Sequence, residues 1–119
     1  SRQCTINLPT AKLLDTVVGI GNCSSRDVDK FARFGLTASP SHAVAAPSIG
    51  ECHASFECTL KETRITRNYP LFVWQVVHAR VATSPKLPRT VHYRGEGRFM
   101  LSGEEVSRRR LFRPDMLEQ

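Results

Sequence analysis

Ser24, Ser25, Arg26 and Lys30 set two hydroxyls and two cations close together in the stretch Gly21-Asn22-Cys23-Ser24-Ser25-Arg26-Asp27-Val28-Asp29-Lys30-Phe31. If a helix starts at Ser24 or Ser25, the four groups fall within about two turns of its N-terminus, where unpaired backbone N–H groups also point outward. Hydroxyls, free N–H groups and cations together satisfy a phosphate dianion. An anion site is the chemistry this segment suggests. A serine cap flanked by a solvated Arg and Lys is the alternative that residue types alone leave open.

Other constellations are weaker. Cys52, His53, Cys58, Cys23 and His78 contain metal-binding types, but no Cys-x-x-Cys pair occurs, and period-two alternation places Cys52 and Cys58 on one face with His53 on the other. These cysteines read as buried thiols. No nucleophile-elbow or papain-like surroundings accompany any Ser or Cys, so hydrolytic catalysis has no support. His78 and His92 are the histidines that could donate to a ligand, although a lone His in a strand is more often structural. Gly95-Glu96-Gly97 lacks the third glycine and following helix of a dinucleotide fingerprint and reads as a turn. Trp74 reads as a core or dimer-face aromatic before a ligand-stacking one.

The elements that must position these residues follow from periodicity. Cys4-Thr5-Ile6-Asn7-Leu8 makes a short strand that Pro9 ends. Leu13, Leu14, Val17 and Val18 then fall at helical spacing, and Gly19 to Asn22 supplies the stop. A second short helix starts at Ser24 or Ser25, carries Val28, Phe31 and Ala32 on one apolar face, and ends at Gly35. Residues 36–50 hold two prolines and no sustained period, so they form an extended connection. From Cys52 to Lys61 apolar and polar residues alternate strictly, predicting a half-buried strand with Ser55, Glu57 and Thr59 outward. A turn at Arg67-Asn68-Tyr69-Pro70 leads into residues 71–82, apolar at both parities, as in a strand covered on both faces. Two further short strands are expected at Thr90-Val91-His92-Tyr93 and at 98–101. The order is α+β with an antiparallel sheet or barrel.

Composition sets the limits. The 119 residues, 40% hydrophobic and 24% charged, suffice for one modest core, so 1–119 reads as a single domain with 103–119 as an extended tail. The longest apolar run, 71–77, is far short of the roughly 20 residues of a membrane span and includes Gln75. The chain begins at Ser1 without a signal-type leader, which reads as a processed, trimmed or partial chain. Four cysteines are too few and too irregular for a disulfide framework and are expected as reduced thiols in the cytoplasm. The net charge of +6 raises nucleic acid as a partner, but its densest part is the short cluster Arg108, Arg109, Arg110 and Arg113, which reads as a solvated tail.

Ile6-Asn7-Leu8-Pro9, the segment 21–32 and Phe34-Gly35-Leu36-Thr37 together resemble flavin reductase-like proteins of the flavoredoxin type. Ala46-Pro47-Ser48-Ile49-Gly50-Glu51-Cys52 and Phe56-Glu57-Cys58 extend the likeness, which is best over residues 4–62. The resemblance implies an antiparallel split β-barrel of the FMN-binding type, homodimeric, with FMN at the subunit interface and NADH or NADPH as hydride donor. A partner oxygenase that consumes reduced flavin is also implied. Carried over, Ser24 and Lys30 become phosphate contacts and Arg26 a weaker one, with Asn22, Cys23 and Ser25 in the same cofactor segment. Ser25 stands where the pattern has glycine, adding a side chain beside the phosphate. The strands that contact the flavin ring precede this segment in the family, so the barrel expected here is incomplete, about the C-terminal two-thirds of the domain. A non-catalytic flavin- or haem-associated module, or a dimerisation domain on the same fold, is the second reading. A small basic nucleic-acid-binding protein is the third.

Overall fold

The computed structural model describes residues 1–65 and 68–117. Strand β1 (Gln3–Leu8) leads through a short 3-10 turn, Ala11–Leu13, into helix α1 (Leu14–Gly21). Helix α2 (Lys30–Phe34) follows, then the two-residue strands β2 (Ala38–Ser39) and β3 (Ser48–Ile49). The long strands β4 (Ala54–Ile65) and β5 (Pro70–Val81) come next, and β6 (Val91–Gly95) with β7 (Arg98–Leu101) completes the folded part. Beyond it, residues 102–108 are without regular structure, and two 3-10 turns lie at Arg109–Leu111 and Pro114–Met116. The expected turn at 67–70 begins at Arg67, which lies outside the described residues, as do Glu118 and Gln119 of the tail.

All pairings are antiparallel, in a three-stranded sheet β1-β4-β5 and two ladders, β2-β3 and β6-β7. The fold is mixed α+β, and the described strands do not close into a barrel. Register is continuous from Gln3↔Thr59 to Leu8↔Ala54 between β1 and β4, whereas β4 and β5 shift register at Glu57/Cys58 and again at Leu60/Glu62. Such shifts bend a strand and increase its twist.

Among the described residues only α1 is a substantial helix. Its end is where the sequence places it, since Gly21 is its last residue and Asn22 N–H closes on the Val18 and Gly19 carbonyls at 3.2 and 3.1 Å. The start of α2 differs from expectation. Ser24 and Ser25 do not open it; Asp29 is the N-cap, its carboxylate accepting Ala32 N–H at 3.2 Å. Ser24 instead closes a turn, its carbonyl accepting Asp27 and Val28 N–H. Both serine and aspartate are good caps, and here Asp29 takes the role, in the register that sets Phe34 of α2 against Gly19 of α1.

Gly19 and Gly35 allow the two helices to meet. A Cβ on Gly19 would lie 2.5 Å from the Phe34 ring, so only glycine admits that ring against α1. Gly35 ends α2 at φ +62°, with its N–H bonded to Ala32 O and Leu36 N–H to Phe31 O at 2.9 Å. A branched residue strains that left-handed position by about 1–2 kcal/mol. Gly35→Val should therefore lower the melting temperature by several degrees, whereas Gly35→Asn should lower it much less, as calorimetry would read.

The hairpin β6-β7 turns through Gly95, Glu96 and Gly97 at φ 92°, 52° and 71°, the turn expected there. It is joined to the helical half by Ala11 N–H to Arg89 O at 2.8 Å and a bridge between Thr10 and Thr90.

Two expectations about burial need correction. Ser55 and Glu57, read as outward, are 1% and 4% exposed, because the loop 40–47 folds over that face of β4. β5, read as covered on both faces, leaves Leu71, Phe72, Val76 and Val81 more than half exposed. It is the sheet's outer strand opposite β1, so apolar residues at both parities find no cover within the described residues. Trp74, opposite Leu60, is half-buried.

Candidate functional site

The predicted cofactor segment folds as a knuckle on the C-terminal end of α1. Asn22 N–H and the Cys23 thiol take carbonyls of the last turn, the thiol at 3.6 Å from Gly19 O and 3.7 Å from Ile20 O. Lys30 reaches back across the turn, its Nζ donating to Ile20 O at 2.9 Å. A cation there complements the negative end of the α1 dipole. Ser24 Oγ accepts Arg26 N–H at 3.2 Å.

These contacts show which groups are already engaged. The N-terminus of the five-residue α2 is already taken by Asp29, so the helix-start N–H groups invoked from the sequence are not the donors. The side chains keep spare donors. Lys30 retains two of its three N–H donors, and the Ser24 hydroxyl, accepting at its oxygen, retains its proton. Arg26 and Ser25 are exposed, and neither side chain bonds elsewhere among the described residues. Beside the knuckle, an apolar cavity of about 270 Å³ lies between α1 and the sheet, with Asn7, Leu13, Val17, Ile20, Leu36 and Cys52 in its wall. Ile20 belongs to both, its side chain lining the cavity and its carbonyl holding Lys30.

A second polar cluster was not foreseen. The Glu57 carboxylate accepts His42 N–H at 2.9 Å and Ala43 N–H at 2.6 Å, fastening the 40–47 loop. His78 Nδ1 lies 3.5 Å from Glu57 Oε1, and this buried nitrogen has no hydrogen-bond partner among the described residues; its ring packs against His42 with centroids 4.5 Å apart and planes tilted by 37°. Arg80 Nη2 donates to Ser55 Oγ at 3.2 Å and to the carbonyls of Ile49 and Cys52. The sequence signal for the cluster is slight: one acidic residue on the polar parity of a strand, with nothing local to say that a loop covers it. His92, the other candidate, is exposed on β6 beside Thr90 Oγ1 at 3.1 Å. No three Cys, His, Asp or Glu side chains among the described residues converge as metal ligands.

Burial works against the Glu57 charge, but the His42 and Ala43 N–H groups and the neighbouring imidazoles outweigh it and hold its carboxyl below the ordinary 4.5. Thr37, whose N–H meets both Glu51 oxygens, likewise lowers Glu51. A carboxyl lowered on folding stabilises the fold above its unfolded pKa, and that stability is lost as pH falls through the folded value. The melting temperature should therefore hold steady from pH 7 to about 5 and drop below about 4.5. Glu57→Gln should melt lower at neutral pH and show a shallower acid drop, which thermal melts across that range would read.

The comparisons with known proteins agree with this architecture. The sequence model described as "Flavin reductase like domain" matches residues 1–100. The chain belongs to the flavin reductase-like domain family. Among solved structures, flavoredoxin of Desulfovibrio vulgaris (Miyazaki F) superposes with a TM-score of 0.76 at 25% identity, over 88% of this chain and 61% of that one. An FMN-binding protein from Thermus thermophilus, solved with bound p-hydroxybenzaldehyde, gives a TM-score of 0.75 at 24% identity, over 89% of this chain and 61% of its own. Flavoredoxin from Methanosarcina acetivorans gives 0.71 at 19% identity, over 88% and 60%. The two lower identities speak for the split-barrel fold alone. The chain thus spans about three-fifths of the length of these structures. No curated protein matches it in sequence.

Proposed function

We propose that this chain is the FMN-binding portion of a flavin reductase-like oxidoreductase that passes hydride between NADH or NADPH and flavin. The observation that carries the reading is the family match over residues 1–100, joined to a knuckle whose side-chain donors suit a phosphate. Lys30 and Ser24 are the principal phosphate ligands, Arg26 adds charge from the exposed side, and Asn22 and Cys23 fix the turn that presents them. Ser25 supplies a further hydroxyl. Bound FMN would supply the hydride acceptor. The chain's own part is to grip the phosphate.

The reading includes a cytoplasmic homodimer and a partner oxygenase as consumer of reduced flavin. The exposed apolar row on β5 supports a subunit or strand packing there, since an uncovered edge of this kind promotes association. The purified protein, titrated with FMN and then given NADH or NADPH, should oxidise the nucleotide only when FMN is present. Bound FMN with no oxidation of either nucleotide would favour the non-catalytic flavin-binding reading. No bound FMN at all would overturn both.

A further inference from the structure

We propose that Cys4 and Cys58 form a reversible disulfide when the protein meets hydrogen peroxide, fastening β1 to β4. The two cysteines stand directly opposite each other in the antiparallel register, and both are free thiols in this structure. Leu60 N–H bonds to Arg2 O at 2.8 Å, so Arg2 and Leu60 form a hydrogen-bonded pair, and Cys4 and Cys58, two residues on, fall in the same class. Such pairs hold their Cα atoms about 5.5 Å apart with both side chains on one face. That Cα separation lies inside the window of about 4.4–6.8 Å that a disulfide spans, while the Cβ atoms, about 5.5 Å apart in a hydrogen-bonded pair, must close to about 4.5 Å, a movement open to β1 as an outer strand. Burial, and then the adjoining Cys4 through charge and hydrogen bonding, pushes the Cys58 thiol up, so the two sulfurs sense each other. Cys23 and Cys52 have no cysteine across a strand.

Access is unequal, which orders the chemistry. Cys58 is fully buried, its Sγ donating to Phe56 O at 3.7 Å, whereas Cys4 is partly exposed on an outer strand. The Cys4 sulfur attacks peroxide: the O–O bond breaks, an S–O bond forms and one water leaves. The Cys58 sulfur then attacks the Cys4 sulfur, the S–S bond forms, the S–O bond breaks, and the departing hydroxide takes the Cys58 proton as a second water. Two thiols lose two electrons and two protons, and one peroxide becomes two waters.

The bond would fasten a strand that others depend on. On its opposite face β1 holds the 45–49 segment through Gln3 Oε1, which accepts Ala45 N–H, Thr5 Oγ1, which donates to Pro47 O, and Asn7 Oδ1, which accepts Ile49 N–H. A covalent tie at Cys4 therefore anchors the loop as well as the strand.

The test treats the reduced protein with hydrogen peroxide, alkylates remaining thiols, and identifies peptides by mass spectrometry without reductant. The expected result is a Cys4 peptide joined to a Cys58 peptide, two of the four thiols lost and both restored by dithiothreitol. The oxidised protein should also melt at a higher temperature than the reduced one, returning on reduction. Cys4→Ser, the milder of the two substitutions because Cys4 is not fully buried, should abolish the cross-link and leave Cys58 alkylatable after unfolding. Sulfinic acid on Cys4 beside an intact Cys58 thiol would overturn the proposal. So would a cross-link to Cys23 or Cys52, or an unchanged melting temperature on full cross-linking.

Discussion

Lys30→Ala should weaken FMN binding about 10- to 100-fold while changing riboflavin binding less than about twofold, because only FMN carries the phosphate. The magnitude is that of a charge-assisted hydrogen bond, about 1.5–3 kcal/mol. The substitution has a second, structural effect, since Lys30 Nζ also holds Ile20 O at 2.9 Å at the end of α1. Losing that contact should cost about 1 kcal/mol of stability. Riboflavin is the control that separates the two: a loosened knuckle would weaken both ligands, whereas a lost phosphate contact weakens FMN alone. Lys30→Arg, which keeps charge and donors, should retain most of the FMN affinity. Fluorescence titration of both flavins against the three proteins reads all of this.

Asn7→Ala should destabilise the protein by about 3 kcal/mol, more than its position on an outer strand suggests. Asn7 Oδ1 accepts Ile49 N–H at 3.0 Å and the Ser55 hydroxyl at 2.7 Å. Removing it strands two donors, one on a side chain only 1% exposed, and each stranded donor costs about 1–3 kcal/mol. Asn7→Asp retains the accepting oxygen and loses only the Nδ2 bond to Thr5 Oγ1 at 3.3 Å, so it should recover most of the loss. Urea unfolding monitored by Trp74 fluorescence would measure both. An Asn7→Ala protein as stable as the parent would mean that the β3–β4 corner does not depend on β1.

How much of this was legible in the sequence depends on whether the determining contact is local. Gly21 and Asn22 at the end of α1, Gly35 at the end of α2 and Gly95-Glu96-Gly97 in the β6-β7 turn act within a few residues, and the structure places them as read. The alternation from Ala54 to Leu60 correctly marks a strand and its inward face, with Ala54 and Cys58 buried, but the other face is covered as well. Glu57 is buried because its carboxylate holds backbone N–H groups 14 and 15 residues away, and no local pattern carries that. The start of α2 was misplaced for a subtler reason. Ser24, Ser25 and Asp29 are all competent caps, and the choice is made by packing of Phe34 on Gly19.

The same distinction applies to the candidate site. Residue types around Ser24 and Lys30 suggested an anion, and the family match supplies its context. What the sequence did not show is that the segment sits on the C-terminal end of α1, with Lys30 tied to Ile20 O and Asp29 occupying the next N-terminus. In the proposed reading a phosphate here would be held by side chains, without a helix dipole in its favour. Affinity should therefore depend on Lys30 and the serine hydroxyls more steeply than at a helix-start site. β5 shows the reverse failure: its apolar residues at both parities are plain in the sequence, but the cover they require is not in the described residues.

The most direct test of the central claim is a paired calorimetric titration of the purified protein with FMN and with riboflavin. The phosphate grip at Ser24 and Lys30 predicts FMN binding at least about tenfold tighter than riboflavin, the difference shrinking as salt is raised. Equal affinities for the two flavins, or no FMN binding at all, would contradict it.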